Sequence, residues 1–237
     1  MLPLGVFVVV HILQNARALS GQVAFERTSA FMDGLPLAGI VELVLVLLPL
    51  LFHAGYGVVL MFDKKALAAS PYPRSWRVLV RGAAWVSLVF IGYHFYALAL
   101  PRLLGRVGAS SVYTLLTAHL SSTTGGASGV AMPWVAIFYL VGIAATTLHF
   151  AAGAWAYLVR TKRIGTPDQR RRAAYASGAG GVALFTVASL TVISLASGSP
   201  LFAAQAEAAP CPAPAAPPLV PPPPAASTPA LAPAPSK

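Results

Sequence analysis

A chain of 237 residues in which 57% are hydrophobic and 9% are charged, with a mean hydropathy of +0.73, has too little polar surface for a water-soluble domain. Its net charge of +10 is carried at the ends of apolar runs and not on one compact basic face, which argues against nucleic-acid binding and for membrane topology. The single cysteine, Cys211, excludes an intramolecular disulfide and any CxxC or CxxCH motif, and with them a zinc ribbon and covalently attached c-type haem.

The apolar runs are long and continuous, without the alternation of barrel strands, so an all-α membrane protein is expected. Five spans are predicted, at about 1–19, 37–62, 78–100, 132–159 and 174–197, each near the roughly twenty residues that cross about 30 Å of hydrocarbon. The first run has neither the basic lead-in nor the small-residue cleavage site of a signal peptide, and is taken as a helix. Basic residues then orient the bundle. The 2–3 connection and its flanks hold Lys64, Lys65, Arg74, Arg77 and Arg81, and the 4–5 connection holds Arg160, Lys162, Arg163, Arg170, Arg171 and Arg172. Eleven of the sixteen basic residues thus face one side, while Arg17 and Arg27 are offset by Glu26 and Asp33, and the 3–4 connection has Arg102 and Arg106. The expected five-helix bundle has its amino terminus cytoplasmic and its carboxyl terminus external. Residues 200–237, dense in proline and alanine, are predicted to be a disordered external tail of polyproline II character.

Four histidines fall inside four different spans: His11, His53, His94 and His149. From the helix rise, His53 lies about 13 Å and His149 about 16 Å from the inner ends of spans 2 and 4, while His11 and His94 lie roughly 9 and 10 Å from the outer ends of spans 1 and 3. They therefore sort into two pairs of matching depth. A lone intramembrane histidine is more often a packing or proton-relay group, but unsatisfied imidazoles are costly in lipid, and packing alone does not produce paired depths. One imidazole on each face of an iron is the ligand set of a low-spin b haem, so the pairs read as axial ligands of two non-covalent haems. Gly55, Gly57, Gly92, Gly142 and Gly153 near the histidines would admit a macrocycle, although small residues also serve bare helix packing. His119, in the polar stretch TAHLSSTTGGASG, is left outside the ligand set.

The run HILQNARALSGQVAFERTSAFMDGLPLAGIVELVLVLLPLLFHAGYGVVL, with its FMD-LP turn, LE at the entry to span 2 and HAGYG segment, resembles the first two helices of a known family. That family is the five-helix, dihaem cytochrome b anchor of succinate:menaquinone oxidoreductases and fumarate reductases. WVSLVFIGYHFYA and FYLVGIAATTLHFAAGAWAY are similar to its third and fourth helices, and the likeness covers about residues 2–197. The chain departs from the family in starting close to His11 and in its longer 3–4 connection, residues 101–131.

The resemblance implies a subunit of the bacterial cytoplasmic membrane that does no chemistry on succinate itself. It docks a flavoprotein and an iron–sulfur subunit on the cytoplasmic face, with a higher oligomer of the complex left open, and passes electrons between the iron–sulfur subunit and menaquinone. It also implies an inner, higher-potential haem on His53 and His149 and an outer, lower-potential haem on His11 and His94. Quinone chemistry near the outer haem makes Glu26, Asp33 and Glu42 candidates. Each has a plainer reading: Glu26 as a partner of Arg27 or water, Asp33 as a turn cap, and Glu42 as the costliest to bury. Trp76, Arg77 and Arg160 are candidates for contacts with the inner-haem propionates, and equally for cytoplasmic anchors. Two other classes fit the same residues: a dihaem cytochrome b serving a hydrogenase or formate dehydrogenase, and a haem-free transporter or anchor whose histidines relay protons or bind metal.

Overall fold

The computed structural model describes residues 2–65, 70–105, 112–121, 124–125 and 131–202. The 200–237 tail therefore falls outside the described residues from 203 onward, as do Cys211 and Arg106. Five helices are long and apolar enough to cross a membrane: α1 (Pro3–Ser20), α3 (Ala38–Phe62), α4 (Arg74–Ala99), α6 (Trp134–Arg160) and α7 (Pro167–Ser197). Two shorter helices lie in connections expected only as loops, α2 (Gln22–Asp33) and α5 (Val112–Leu120). The protein is a multi-pass, all-α membrane protein. Among the described residues, extended pairing is limited to the two-residue antiparallel strands Thr124–Gly125 and Ala131–Met132.

Local signals set the helix limits, which overrun the apolar stretches. α7 starts at Pro167, well before residue 174, because Thr166 and Gln169 form a reciprocal capping box and proline is preorganised at the first helical position. It stops at Gly198, whose left-handed φ of 67° lets the chain turn back so that Ser199 N–H donates to the Ser194 carbonyl at 3.2 Å. α4 likewise starts at Arg74, directly after Pro73, ahead of its apolar part. Gly21, at φ 96°, breaks the chain between α1 and α2.

Two helices widen into π turns, Glu42–Leu47 in α3 and Phe95–Ala99 in α4, and each π segment ends two residues before a proline, Pro49 or Pro101. A helical proline has no N–H for the carbonyl four residues back and collides with it, so a wider turn relieves both conflicts.

α6 is the central helix. On one side Gly142 receives Phe90 of α4 so closely that a Cβ there would lie 2.2 Å from its ring, and on the other Gly181 of α7 meets Ala151. The buried cluster lies where α1, α4 and α7 end and α6 begins: Ala18, Phe25, Phe90, Leu98, Leu116, Leu120, Ala136, Tyr139, Val192 and Leu195. At that end the two short helices pack in, with Phe25 of α2 5.8 Å from Tyr113 of α5, and Phe202 N–H donates to the Leu19 carbonyl at 2.7 Å. α3 differs from the rest, because it packs mainly against α1 and has no buried residue. Exposed Leu51, Phe52, Tyr56, Val59 and Phe62 make its outer surface apolar, as a lipid-facing helix requires.

Candidate functional site

The fold brings the four span histidines together two by two. His11 of α1 and His94 of α4 have ring centroids 5.8 Å apart, and His53 of α3 and His149 of α6 have theirs 6.0 Å apart. An imidazole nitrogen bonds a first-row metal at about 2 Å, so two rings on opposite faces of one iron hold their centres roughly 6 Å apart. The interplanar angles of 87° and 54° are compatible with this, since each ring can turn about its own metal–nitrogen axis.

Further observations test whether a haem fits. Nδ1 of His94 and of His149 is buried without a hydrogen bond, although the Val80 backbone is a polar neighbour of His149. A ligating histidine gives one ring nitrogen to the metal and pairs the other with a protein acceptor, so these Nδ1 atoms are the ones left for hydrogen bonds within the protein and Nε2 is the one left for a metal. Gly57 lies one turn after His53, and Gly153 one turn after His149, on the ligand face in each case. A Cβ at either would meet no protein atom within 4 Å, and the same holds at Gly55 and Gly92. Gly142 is different: its missing side chain accommodates Phe90, so this glycine serves helix packing. Ring spacing fits one iron at each pair, and at His53 and His149 the open glycines Gly57 and Gly153 also leave room for a planar macrocycle.

The surroundings of the pairs differ. His11 stands 5.2 Å from Phe7, and one turn on, Asn15 donates to the His11 carbonyl at 2.8 Å and brings its amide nitrogen to 3.4 Å from His11 Nε2. His94 lies 5.8 Å from both Phe90 and Tyr139 and directly precedes the π turn of α4. Beside His53 and His149, two side-chain ties join α3 to α4 toward the basic end. Arg81 donates to the Met61 carbonyl at 2.6 Å, and Phe62 packs on Trp85 at 6.4 Å.

The other sequence candidates scatter. Glu26 accepts from Gln22 at 2.7 Å on α2, Asp33 is exposed at the end of that helix, and Glu42 is exposed where α3 begins its π turn. Trp76 is half exposed and Arg77 partly buried in the first turn of α4, while Arg160 is exposed at the end of α6. Near Arg160, Tyr72 packs on Trp155 at 5.1 Å and donates to the Ala152 carbonyl; burial pushes its pKa up to about 12, and Arg160 opposes the rise.

His119, set aside as a loop residue, is on α5, stacked on Tyr93 at 5.8 Å and 26°, with Tyr93 Oη 3.5 Å from its Nε2. The signal was present in VYTLLTAHL, where Val112, Leu116 and Leu120 recur at helical spacing, Leu116 and Leu120 are buried, and His119 follows Leu116 by one turn on the adjoining face.

A multi-pass helical bundle that juxtaposes two pairs of intramembrane histidines at the spacing of bis-imidazole ligation belongs to the class of membrane cytochromes. No family model matches the sequence, and no solved structure matches it. It is 32% identical over 177 residues to the succinate dehydrogenase cytochrome b558 subunit of Bacillus subtilis (strain 168), a match covering 74% of this chain and 81% of that protein. The chain belongs to the family of succinate dehydrogenase cytochrome b subunits.

Proposed function

We propose that this chain anchors a succinate dehydrogenase in the bacterial cytoplasmic membrane and carries electrons between its iron–sulfur subunit and menaquinone through two b haems. The observation that carries the reading is the pair of histidine separations, 5.8 and 6.0 Å, each drawn from two different spanning helices. His53 and His149 would hold one haem and His11 and His94 the other. When bound, each group supplies a one-electron carrier. The protein contributes the two imidazoles, a low-dielectric setting and helices that fix the ligand geometry. At the flavoprotein succinate loses two electrons and two protons to become fumarate, and menaquinone takes up two electrons and two protons to become the quinol.

Charge supports the docking direction. The ends of α3 and α6 and the starts of α4 and α7 carry the eleven clustered basic residues, which suit a cytoplasmic face, with the amino terminus inside and the carboxyl terminus outside. The flavoprotein and iron–sulfur subunits would bind there, with Trp76, Arg77 and Arg160 near the inner haem. Glu26, Asp33 and Glu42 remain candidates for proton exchange with the quinone on the external side.

The test is a dithionite-reduced minus oxidised spectrum of the purified complex, with pyridine haemochrome quantified per chain. Two b haems and a co-purifying flavoprotein with covalent flavin are expected. A colourless complex, or one whose partner is a hydrogenase or formate dehydrogenase, would overturn the reading.

A further inference from the structure

A quinone is a flat ring with two carbonyl acceptors and an apolar tail. Its site therefore needs aromatic walls, a hydrogen-bond donor and an opening to lipid. Among the described residues, one region has aromatic walls and an opening, with a tyrosine–histidine pair at its edge to donate. At the outer ends of α4 and α6 a cavity of about 200 Å³ is lined by Tyr93, Trp134, Val135 and Phe138. It is smaller than the roughly 300–1,000 Å³ that enclose a whole drug-sized ligand, a size that suits a ring whose tail stays outside. Trp134 and Tyr93 are 52% and 36% exposed, so its mouth opens on the surface of the bundle. Phe138 also lines a second groove of about 250 Å³ with Trp85, Val86 and Val89, which runs along the same two helices toward the basic end and offers an apolar track for a tail.

Polar chemistry meets this cavity through Tyr93. Its hydroxyl is 3.5 Å from His119 Nε2, and the two rings stack. α5 is held in place because Leu116 and Leu120 are buried in the bundle, so the position of His119 is fixed by packing. Burial also lowers the His119 pKa, which favours the neutral ring, and a neutral imidazole carries one donor and one acceptor nitrogen. Tyr139 stands between this pair and the outer histidines, with its ring 5.8 Å from both His119 and His94. Its side chain is buried, and its hydroxyl has no hydrogen-bond partner among the described residues.

We propose that the cavity formed by Tyr93, Trp134, Val135 and Phe138 binds the quinone ring, with His119, positioned by Tyr93, as the side chain that hydrogen-bonds a quinone carbonyl. This assignment rests on the reading of the chain as a quinone-linked cytochrome. It moves the ring-binding site away from Glu26, Asp33 and Glu42 to the outer ends of α4 and α6, where His119 of α5 stacks on Tyr93. The 3–4 connection thereby acquires a purpose, because its helix α5 brings His119 against Tyr93 at the edge of the cavity.

The test uses the whole complex in membranes. A wild-type complex photolabelled with an azido-1,4-naphthoquinone should carry the label on the peptides holding Tyr93 and Trp134–Phe138, and label confined to the 22–47 region would overturn the proposal. In succinate-dependent reduction of 2,3-dimethyl-1,4-naphthoquinone, His119→Ala should raise the KM roughly tenfold, the scale of one lost hydrogen bond, and His119→Gln, which keeps a donor, should recover part of it. Val135→Trp, which fills the cavity, should raise it further. Unchanged KM values in both His119→Ala and Val135→Trp would also overturn it. Haem content and dye-linked succinate oxidation report on the complex separately: a wild type lacking either overturns the cytochrome reading itself, whereas their presence with unaltered quinone kinetics overturns only this site.

Discussion

The two histidine pairs are similar in separation and opposite in setting. His11 and His94 stand beside the aromatic, buried end of the bundle, where α2 and α5 pack against the spanning helices. His53 is on α3, which has no buried residue, packs mainly against α1 and is tied to α4 through Arg81 and Phe62, and it meets His149 of α6 with little protein packing around it. Thus packing among protein side chains preorganises the outer pair, while the inner pair depends more on what binds between its rings. A ligand that binds only the folded arrangement stabilises it by mass action, so on the proposed dihaem reading a haem held by His53 and His149 should contribute more to holding α3 in place than one held by His11 and His94 does to its helices.

Histidine removal is the strongest way to break that contrast. His53→Ala or His149→Ala should remove one of two haems per chain and raise amide exchange and proteolysis along α3. His94→Ala or His11→Ala should remove the other haem with much smaller changes in exchange. Equal loosening in both cases would erase the distinction. Glycine substitutions come next. Gly57→Leu and Gly153→Leu place side chains where the protein offers none within 4 Å, so haem content should fall at the inner pair while the fold persists. Gly142→Ala instead forces a methyl into Phe90 and should cost about 1–3 kcal/mol of stability through overpacking, read as a lower thermal midpoint in detergent.

Arg81→Met sharpens the comparison further. Arg81 satisfies one of the unpaired carbonyls at the end of α3, and a hydrogen bond from a charged donor contributes roughly 1.5–3 kcal/mol. Its loss should raise exchange in the last turns of α3 and leave the outer end unchanged. The smallest effect is expected at Tyr72. Its folded pKa of about 12 exceeds the ordinary 10.0, so the folded state keeps a proton that the unfolded chain has released. The resulting stability is present below pH 10, declines above it and is lost as pH passes 12. Tyr72→Phe should abolish that part of the alkaline decline and cost about 1 kcal/mol at neutral pH for the bond to Ala152.

Much of this was legible in the chain. Hydropathy located five spans, because lipid demands an uninterrupted apolar surface. Helix rise alone sorted His11 with His94 and His53 with His149, since antiparallel helices of known pitch fix depth. Depth does not fix rotation, however, and only the packed bundle shows that each pair turns its rings toward one another. The short helices α2 and α5 escaped a reading based on membrane-length runs, and so His119 appeared to be a loop residue. Likewise Gly142 and Gly153 look alike in sequence, yet one receives Phe90 and the other meets nothing.

Composition, charge placement and histidine spacing by themselves determined an all-α membrane bundle with two levels of paired imidazoles, because these follow from local pattern and one-dimensional geometry. Tertiary structure alone decided which helix is central, which glycines are filled, that α3 stands apart, and that Tyr93, His119 and Tyr139 converge beside His94. Those outcomes depend on which helix faces meet, and that depends on side-chain shape across elements far apart in the chain.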